Sequence, residues 1–126
     1  MASDAEKIEV AQRWLDAYNA QDNETMGALM AEDLTIRHHN RGVDLKGREA
    51  MLEILTQFEA ITEGKRFNPP YRQFVAGDYV VTEHAWEATF TTDVPGFAAK
   101  DETAKLDLCS VWRIVDGQIV EYDDYG

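Results

Sequence analysis

The three histidines His38, His39 and His84, together with Asp124, are the side chains best suited to moving a proton near neutral pH. Imidazole has an ordinary pKa of ~6.5; a carboxyl joins it only where burial lifts its own. Which of them can act together depends on the strand face each occupies. In Leu34-Thr35-Ile36-Arg37-His38-His39 the side chains alternate with period two, so His38 shares a face with Leu34 and Ile36 while His39 faces the other way. Adjacent strand histidines cannot enter one coordination shell, which argues against a metal site from His38, His39 and His84. Farther along, Glu83 and Glu87 would be costly to bury, and they send Thr82, His84, Trp86, Ala88 and Phe90 inward. In the last segment Val120, Tyr122 and Asp124 alternate on one expected inner face, where burial near aromatics would raise the carboxyl pKa. His84 would then be in reach of Asp124, as an orienting partner or a proton donor. Other readings stay open: Asp124 as a solvated acid near the chain end, with Asp123 beside it, and His38 and His84 as hydrogen-bonded core residues.

The single cysteine, Cys109, excludes an intrachain disulfide, and its neighbours Leu108, Ser110 and Val111 read as strand, where a free thiol acts as a small hydrophobe. The aromatics Trp14, Tyr18, Phe58, Trp86, Trp112 and Tyr122 either line an apolar ligand pocket or fill a core. Tyr18 and Tyr122 favour the pocket, because each hydroxyl needs a partner.

The elements that would position these residues follow from periodicity. Residues 4–20 set Ala11, Trp14, Leu15 and Tyr18 on one helical stripe. After the capping candidates Asp22 and Asn23, residues 24–31 form a second helix with Met26, Leu29 and Met30 inward. Residues 34–39 are a strand, 40–47 a turn-rich stretch, and 48–63 a third helix on the stripe Met51, Ile54, Leu55 and Phe58. Strands are expected over 67–76, 79–91, 103–115 and 118–125, with turns at Gly77-Asp78, Val94-Pro95-Gly96 and Asp116-Gly117. In the third of these Lys105 and Asp107 lie outside, with Leu106, Leu108, Ser110, Trp112 and Ile114 inside. Cys109 and Val111 make the outer face apolar midway, which points to a homodimer. Helices first and a meander last is an α+β layout.

The chain of 126 residues, 44% apolar, has the size of one domain. Its net charge of −12, from 12 basic and 24 acidic residues, would repel nucleic acid and anionic membranes. No apolar run approaches the ~18 residues of a membrane span, and Met1-Ala2-Ser3-Asp4-Ala5-Glu6 is acidic, unlike a secretory leader, so a cytoplasmic location is expected.

Residues 10–22, the Ala31-Glu32-Asp33-Leu34-Thr35-Ile36 segment and the final Gly117-Gln118-Ile119-Val120-Glu121 strand resemble the nuclear-transport-factor-2-like superfamily, with its SnoaL-like and ketosteroid-isomerase-like branches. The resemblance covers nearly the whole chain as a single domain. It implies three N-terminal helices in the concave face of a strongly curved sheet, with a mostly apolar pocket for a small organic ligand. In the similar polyketide cyclases and limonene-epoxide hydrolases an aspartate on the terminal strand serves as acid/base, and Asp124 matches that place. His38 matches the place of the proton-abstracting aspartate in ketosteroid isomerases. Trp14 and Ser110 stand where those isomerases keep their oxyanion donors, and His84 and Trp86 replace the epoxide hydrolases' Arg and second Asp. The resemblance therefore implies a cofactor-independent isomerase, cyclase or hydrolase acting on a small apolar carbonyl or polyketide-like compound. The alternative is a ligand-binding or dimerisation domain of the same fold without turnover.

Overall fold

The computed structural model describes residues 2–126; Met1, at the head of the acidic N-terminal stretch, lies outside them. Helix α1 spans Asp4–Asn19 and opens on a capping box, in which the Ser3 hydroxyl accepts from the Glu6 backbone and Glu6 reaches back to Ser3. Its buried stripe is Ala11, Trp14, Leu15, Ala17 and Tyr18. Helix α2, Asn23–Leu29, starts where the Asp22 carboxylate accepts from the Thr25 backbone. Helix α3 covers Arg48–Ile61 and buries Met51 and Leu55.

The strands are β1 (Met30–His38), β2 (Val43–Lys46), β3 (Thr62–Phe67), β4 (Arg72–Ala76), β5 (Tyr79–Phe90), β6 (Thr103–Val115) and β7 (Gln118–Tyr125). They form one sheet in the order β2-β1-β7-β6-β5-β3, with β4 also pairing β5, and every pairing is antiparallel except β1 with β7. The architecture is an α+β cone: three helices against a curled, mainly antiparallel sheet. The core joins Trp14, Met26, Leu34, Phe90, Trp112 and Ile114, all essentially without solvent contact.

Four features differ from the sequence reading. The second helix stops at Leu29, and Met30 and Ala31 already belong to β1. The turn-rich stretch contains β2, a short edge strand on β1 that the sequence pattern conceals because its residues alternate only half-buried and exposed. The third helix ends at Ile61, and the expected strand over 67–76 is two strands, β3 beginning at Thr62 and β4 at Arg72, separated by Asn68-Pro69-Pro70. Proline supplies no ladder N–H, so this segment breaks the sheet.

The fourth difference sets the site. Asp116 and Gly117, both at positive φ (51° and 77°), make the tight β6–β7 turn. From it Val115 pairs with Gln118 and Ile114 with Ile119, but Arg113 then pairs with Glu121. This bulge shifts the phase of β7 by one residue. Ile119, not Val120, therefore enters the core, while Tyr122 and Asp124 still point inward. Beyond the bulge, Asp124 lies between His38 of β1 and Ser110 of β6 in one inward row.

Candidate functional site

A cavity of about 350 Å³ opens inside the cone between α3 and the inner sheet face. Met51, Ile54, Leu55 and Phe58 come from α3, Tyr18 from α1, and Phe67, Trp86, Leu106, Leu108 and Tyr122 from the sheet. Val94 and Phe97 of the β5–β6 connection and Arg41 of the 3-10 turn His39–Arg41 complete the wall. His38 and Asp124 supply its polar end. A larger cleft of about 570 Å³ runs between α1 and the β3–β4 connection. It shares only Phe67 with the inner cavity and holds none of the histidines or Asp124.

Asp124 is 6% exposed. Burial raises its pKa to about 7, against the lowering effect of hydrogen bonds from Ser110 and Tyr122 and of the Arg41 charge. Asp123, whose place beside it left the register open, points the other way and pairs with Arg37 Nε at 3.0 Å and His39 Nε2 at 2.8 Å. His39 stacks on Tyr125, centroids 4.1 Å apart. His38, the last residue of β1, and His39, the first of the 3-10 turn, thus serve opposite faces.

His38 Nε2 lies 4.0 Å from Asp124 Oδ2, just beyond hydrogen-bond reach. Burial, then the neighbouring Arg41 and His39 charges, push its pKa down to about 4. It is therefore a neutral imidazole at pH 7, and Asp124 is the better base of the pair.

His84 does not line the cavity. It is buried, stacked on Phe67 at 4.4 Å between centroids, and its Nε2 lies 2.8 Å from Ser110 Oγ. Ser110 Oγ donates to Asp124 Oδ1 at 2.5 Å. A hydroxyl has one proton, so with Ser110 donating to Asp124 the bond from His84 must carry the Nε2 hydrogen. Nδ1 is then the bare nitrogen, consistent with its lack of any partner and with a pKa pushed by burial to about 4. His84 reaches Asp124 through Ser110, as a neutral donor behind the wall.

Of the aromatics, Tyr18, Phe58, Trp86 and Tyr122 line the cavity. Trp86 Nε1 donates to the Tyr18 hydroxyl at 2.8 Å, and Phe58 meets Trp86 edge-on. Trp14, Ser110 and Trp112, expected in the pocket, do not line it. All three are fully buried, the two indoles packed at 6.1 Å between centroids. Strand alternation gives the face a residue occupies and not its depth in the cone, and α1 fills the depth here. Arg41 was missed because it lies in a turn, where no periodicity marks which residues face inward.

Among the described residues no group of three or more His, Cys, Asp or Glu side chains converges as a metal site, and no helix is long and apolar enough to cross a membrane.

The SnoaL-like domain profile matches residues 11–122, nearly the full chain, including the terminal strand up to Tyr122. The chain belongs to the SnoaL-like domain family. Solved structures carry the same fold. A provisionally assigned polyketide cyclase from Xanthomonas campestris is 22% identical, with TM-score 0.86 over 99% of this chain and 93% of that one. A protein of ketosteroid isomerase-like fold from Catenulispora acidiphila, in complex with trimethylamine, is 21% identical, with TM-score 0.77 over 94% and 85% of the two chains. An M. tuberculosis LEH-like epoxide hydrolase is 20% identical, with TM-score 0.76 over 97% and 83%. A search of curated proteins returns no match. This SnoaL-like chain thus shares its cone with proteins of several chemistries, and the site residues must carry any narrower reading.

Proposed function

We propose that this SnoaL-like cavity is the site of a cofactor-independent acid–base reaction on a small apolar carbonyl compound. The observation that carries the reading is Asp124: a buried carboxyl with a pKa near 7 on the wall of a mostly apolar cavity. As a carboxylate it removes a proton α to the carbonyl, the C–H electron pair moves to the carbonyl oxygen as an enolate, and the protonated Asp124 returns the proton to carbon. Neutral His38 offers the enolate oxygen a hydrogen bond, and His84 with Ser110 holds the carboxylate in place. Open volume beside Asp124 supports turnover over a filled, purely structural cone.

The test is hydrogen exchange of an enolisable bicyclic ketone, 2-tetralone, in heavy water followed by NMR. General acid–base help of ~10²–10⁴-fold should vanish in Asp124→Asn. Exchange in the variant within about threefold of the native rate would refute the assignment, since it is far smaller than the expected contribution.

A further inference from the structure

Two tyrosines line the cavity, and their hydroxyls are committed differently. Tyr122 turns its hydroxyl toward Ser110 and Asp124. Tyr18, 6% exposed in the last turn of α1, is bonded on one side only. Its oxygen accepts from Trp86 Nε1 at 2.8 Å, and its hydrogen has no acceptor among the described residues. Burial, and after it the charges of Asp124 and Glu59, hold the Tyr18 pKa well above the ordinary 10, against the lowering effect of the Trp86 bond. The hydrogen therefore stays on oxygen at neutral pH. The ring is covered by Trp14 at 5.4 Å and Phe67 at 4.7 Å between centroids, and by Lys65 Nζ 3.5 Å from its centre. What Tyr18 presents to the open volume is its hydroxyl end, held by Trp86, which lines the same cavity.

A hydroxyl has one hydrogen to donate, and a buried donor without an acceptor is destabilising. The lining neighbours Phe67 and Trp86 offer no acceptor, and no hydrogen bond joins the Tyr18 hydroxyl to Gln57, His38 or Asp124. The acceptor must come with the contents of the cavity. The Trp86 bond takes one side of the Tyr18 oxygen, fixes where the hydrogen can point, and strengthens it as a donor, because linked hydrogen bonds polarise one another. We infer that Tyr18 donates to the carbonyl oxygen of the ligand and, with His38, to the enolate oxygen that forms when Asp124 takes the α-proton. The inference rests on the acid–base reading of the same cavity and adds the residue that recognises the carbonyl. As the C–H electron pair moves to that oxygen, the bond from Tyr18 changes from neutral to charge-assisted, so it stabilises the transition state more than the bound ketone. A ligand without the oxygen leaves the hydroxyl unpaired, which makes Tyr18 a specificity residue as well.

Isotope-edited infrared spectroscopy of 2-tetralone, labelled with carbon-13 at the carbonyl, reads this bond directly. In light water above the Asp124 pKa of about 7, that carboxylate is no donor and enolisation leaves the ketone unchanged. Bound to native protein, the carbonyl stretch should lie below its value in cyclohexane, and Tyr18→Phe should reverse most of that shift. In heavy water Tyr18→Phe should slow α-hydrogen exchange by ~10²–10³-fold, mostly in kcat, as expected for the loss of one donor to an oxyanion. A stretch equal in native and Tyr18→Phe protein, exchange in the variant within about threefold of the native rate, or a ketone that does not bind would overturn the inference. Should Tyr18→Phe not fold, His38→Ala isolates the same donor: a lowered stretch that persists supports Tyr18, and one that returns to the cyclohexane value overturns it. A stretch lowered by Tyr18 in native protein that exchanges nothing would refute the acid–base reading and leave the carbonyl contact standing. Exchange lost in Asp124→Asn yet untouched in Tyr18→Phe would refute the present inference alone.

Discussion

Replacing Ser110 by Ala tests the chain of hydrogen bonds behind Asp124. The Ser110 hydroxyl is fully buried, bonded to Asp124 Oδ1 at 2.5 Å and to His84 Nε2 at 2.8 Å. Its loss strands the His84 Nε2 hydrogen beside a ring whose Nδ1 already lacks a partner, a desolvation cost of ~1–3 kcal/mol. A second part depends on pH. Hydrogen bonds to ionised groups are worth ~1.5–3 kcal/mol against ~0.5–1.5 for neutral pairs, so the loss should deepen by about 1 kcal/mol once Asp124 ionises. With a pKa of about 7 for that carboxyl, the change falls between pH 5.5 and 8.5. Urea unfolding of native and Ser110→Ala protein at both pH values measures it directly. A loss equal at the two pH values would mean that Asp124 does not ionise against Ser110, and the proposed arrangement would be wrong.

Asp124→Asn carries a linked stability effect. A folded pKa of about 7 against an ordinary 3.8 means the folded state holds more protons over that interval, so native stability falls as pH rises through it. The variant lacks this loss and should gain on native protein between pH 4 and 8.5, by up to ~4 kcal/mol, in urea titrations; His38 and His84, whose lowered pKa values act oppositely below pH 6.5, cancel in the difference. Lys65 is 3% exposed, with its Nζ lacking a hydrogen bond, 3.5 Å above the Tyr18 ring, and a pKa pushed by burial to about 8. Lys65→Met should therefore stabilise by ~1–2 kcal/mol at pH 7. That advantage should shrink by pH 10, because native stability rises between the folded value of about 8 and the ordinary 10.5. The outer sheet face, with Phe74 and Tyr79 exposed and Cys109 and Val111 half-buried, is proposed to pair two copies. Sedimentation should give a dimer at micromolar concentration and a monomer for Val111→Glu, whereas a native species of 14.3 kDa alone would contradict pairing.

Much of this was legible in the sequence because the relevant signal was local. Glu83 and Glu87 fixed the face of His84 and Trp86, and the His38–His39 alternation separated the two imidazoles as observed. Asp124 was placed inward from Val120, yet that residue is not a core position; the bulge that puts Ile119 inside also sets the phase of Tyr122 and Asp124. A bulge leaves no mark in apolar periodicity. Depth was equally hidden: Trp14 and Trp112 share the inward faces of Tyr18 and Tyr122, but only the tertiary packing of α1 decides which aromatics meet open volume. Arg41 owes its place to a short 3-10 turn and a contact with Gly126, far away in sequence.

Everything proposed for the cavity depends on Asp124 titrating near neutrality inside the cone. Carbon-13 labelling of aspartate side chains and NMR titration from pH 3 to 10, with Asp124→Asn identifying the resonance, measures it directly. A carboxyl signal should titrate with a midpoint at about 7 and disappear in the variant. A midpoint near the ordinary 3.8 would contradict it, because a carboxyl already ionised at that pH is neither desolvated nor a strong base for carbon acids.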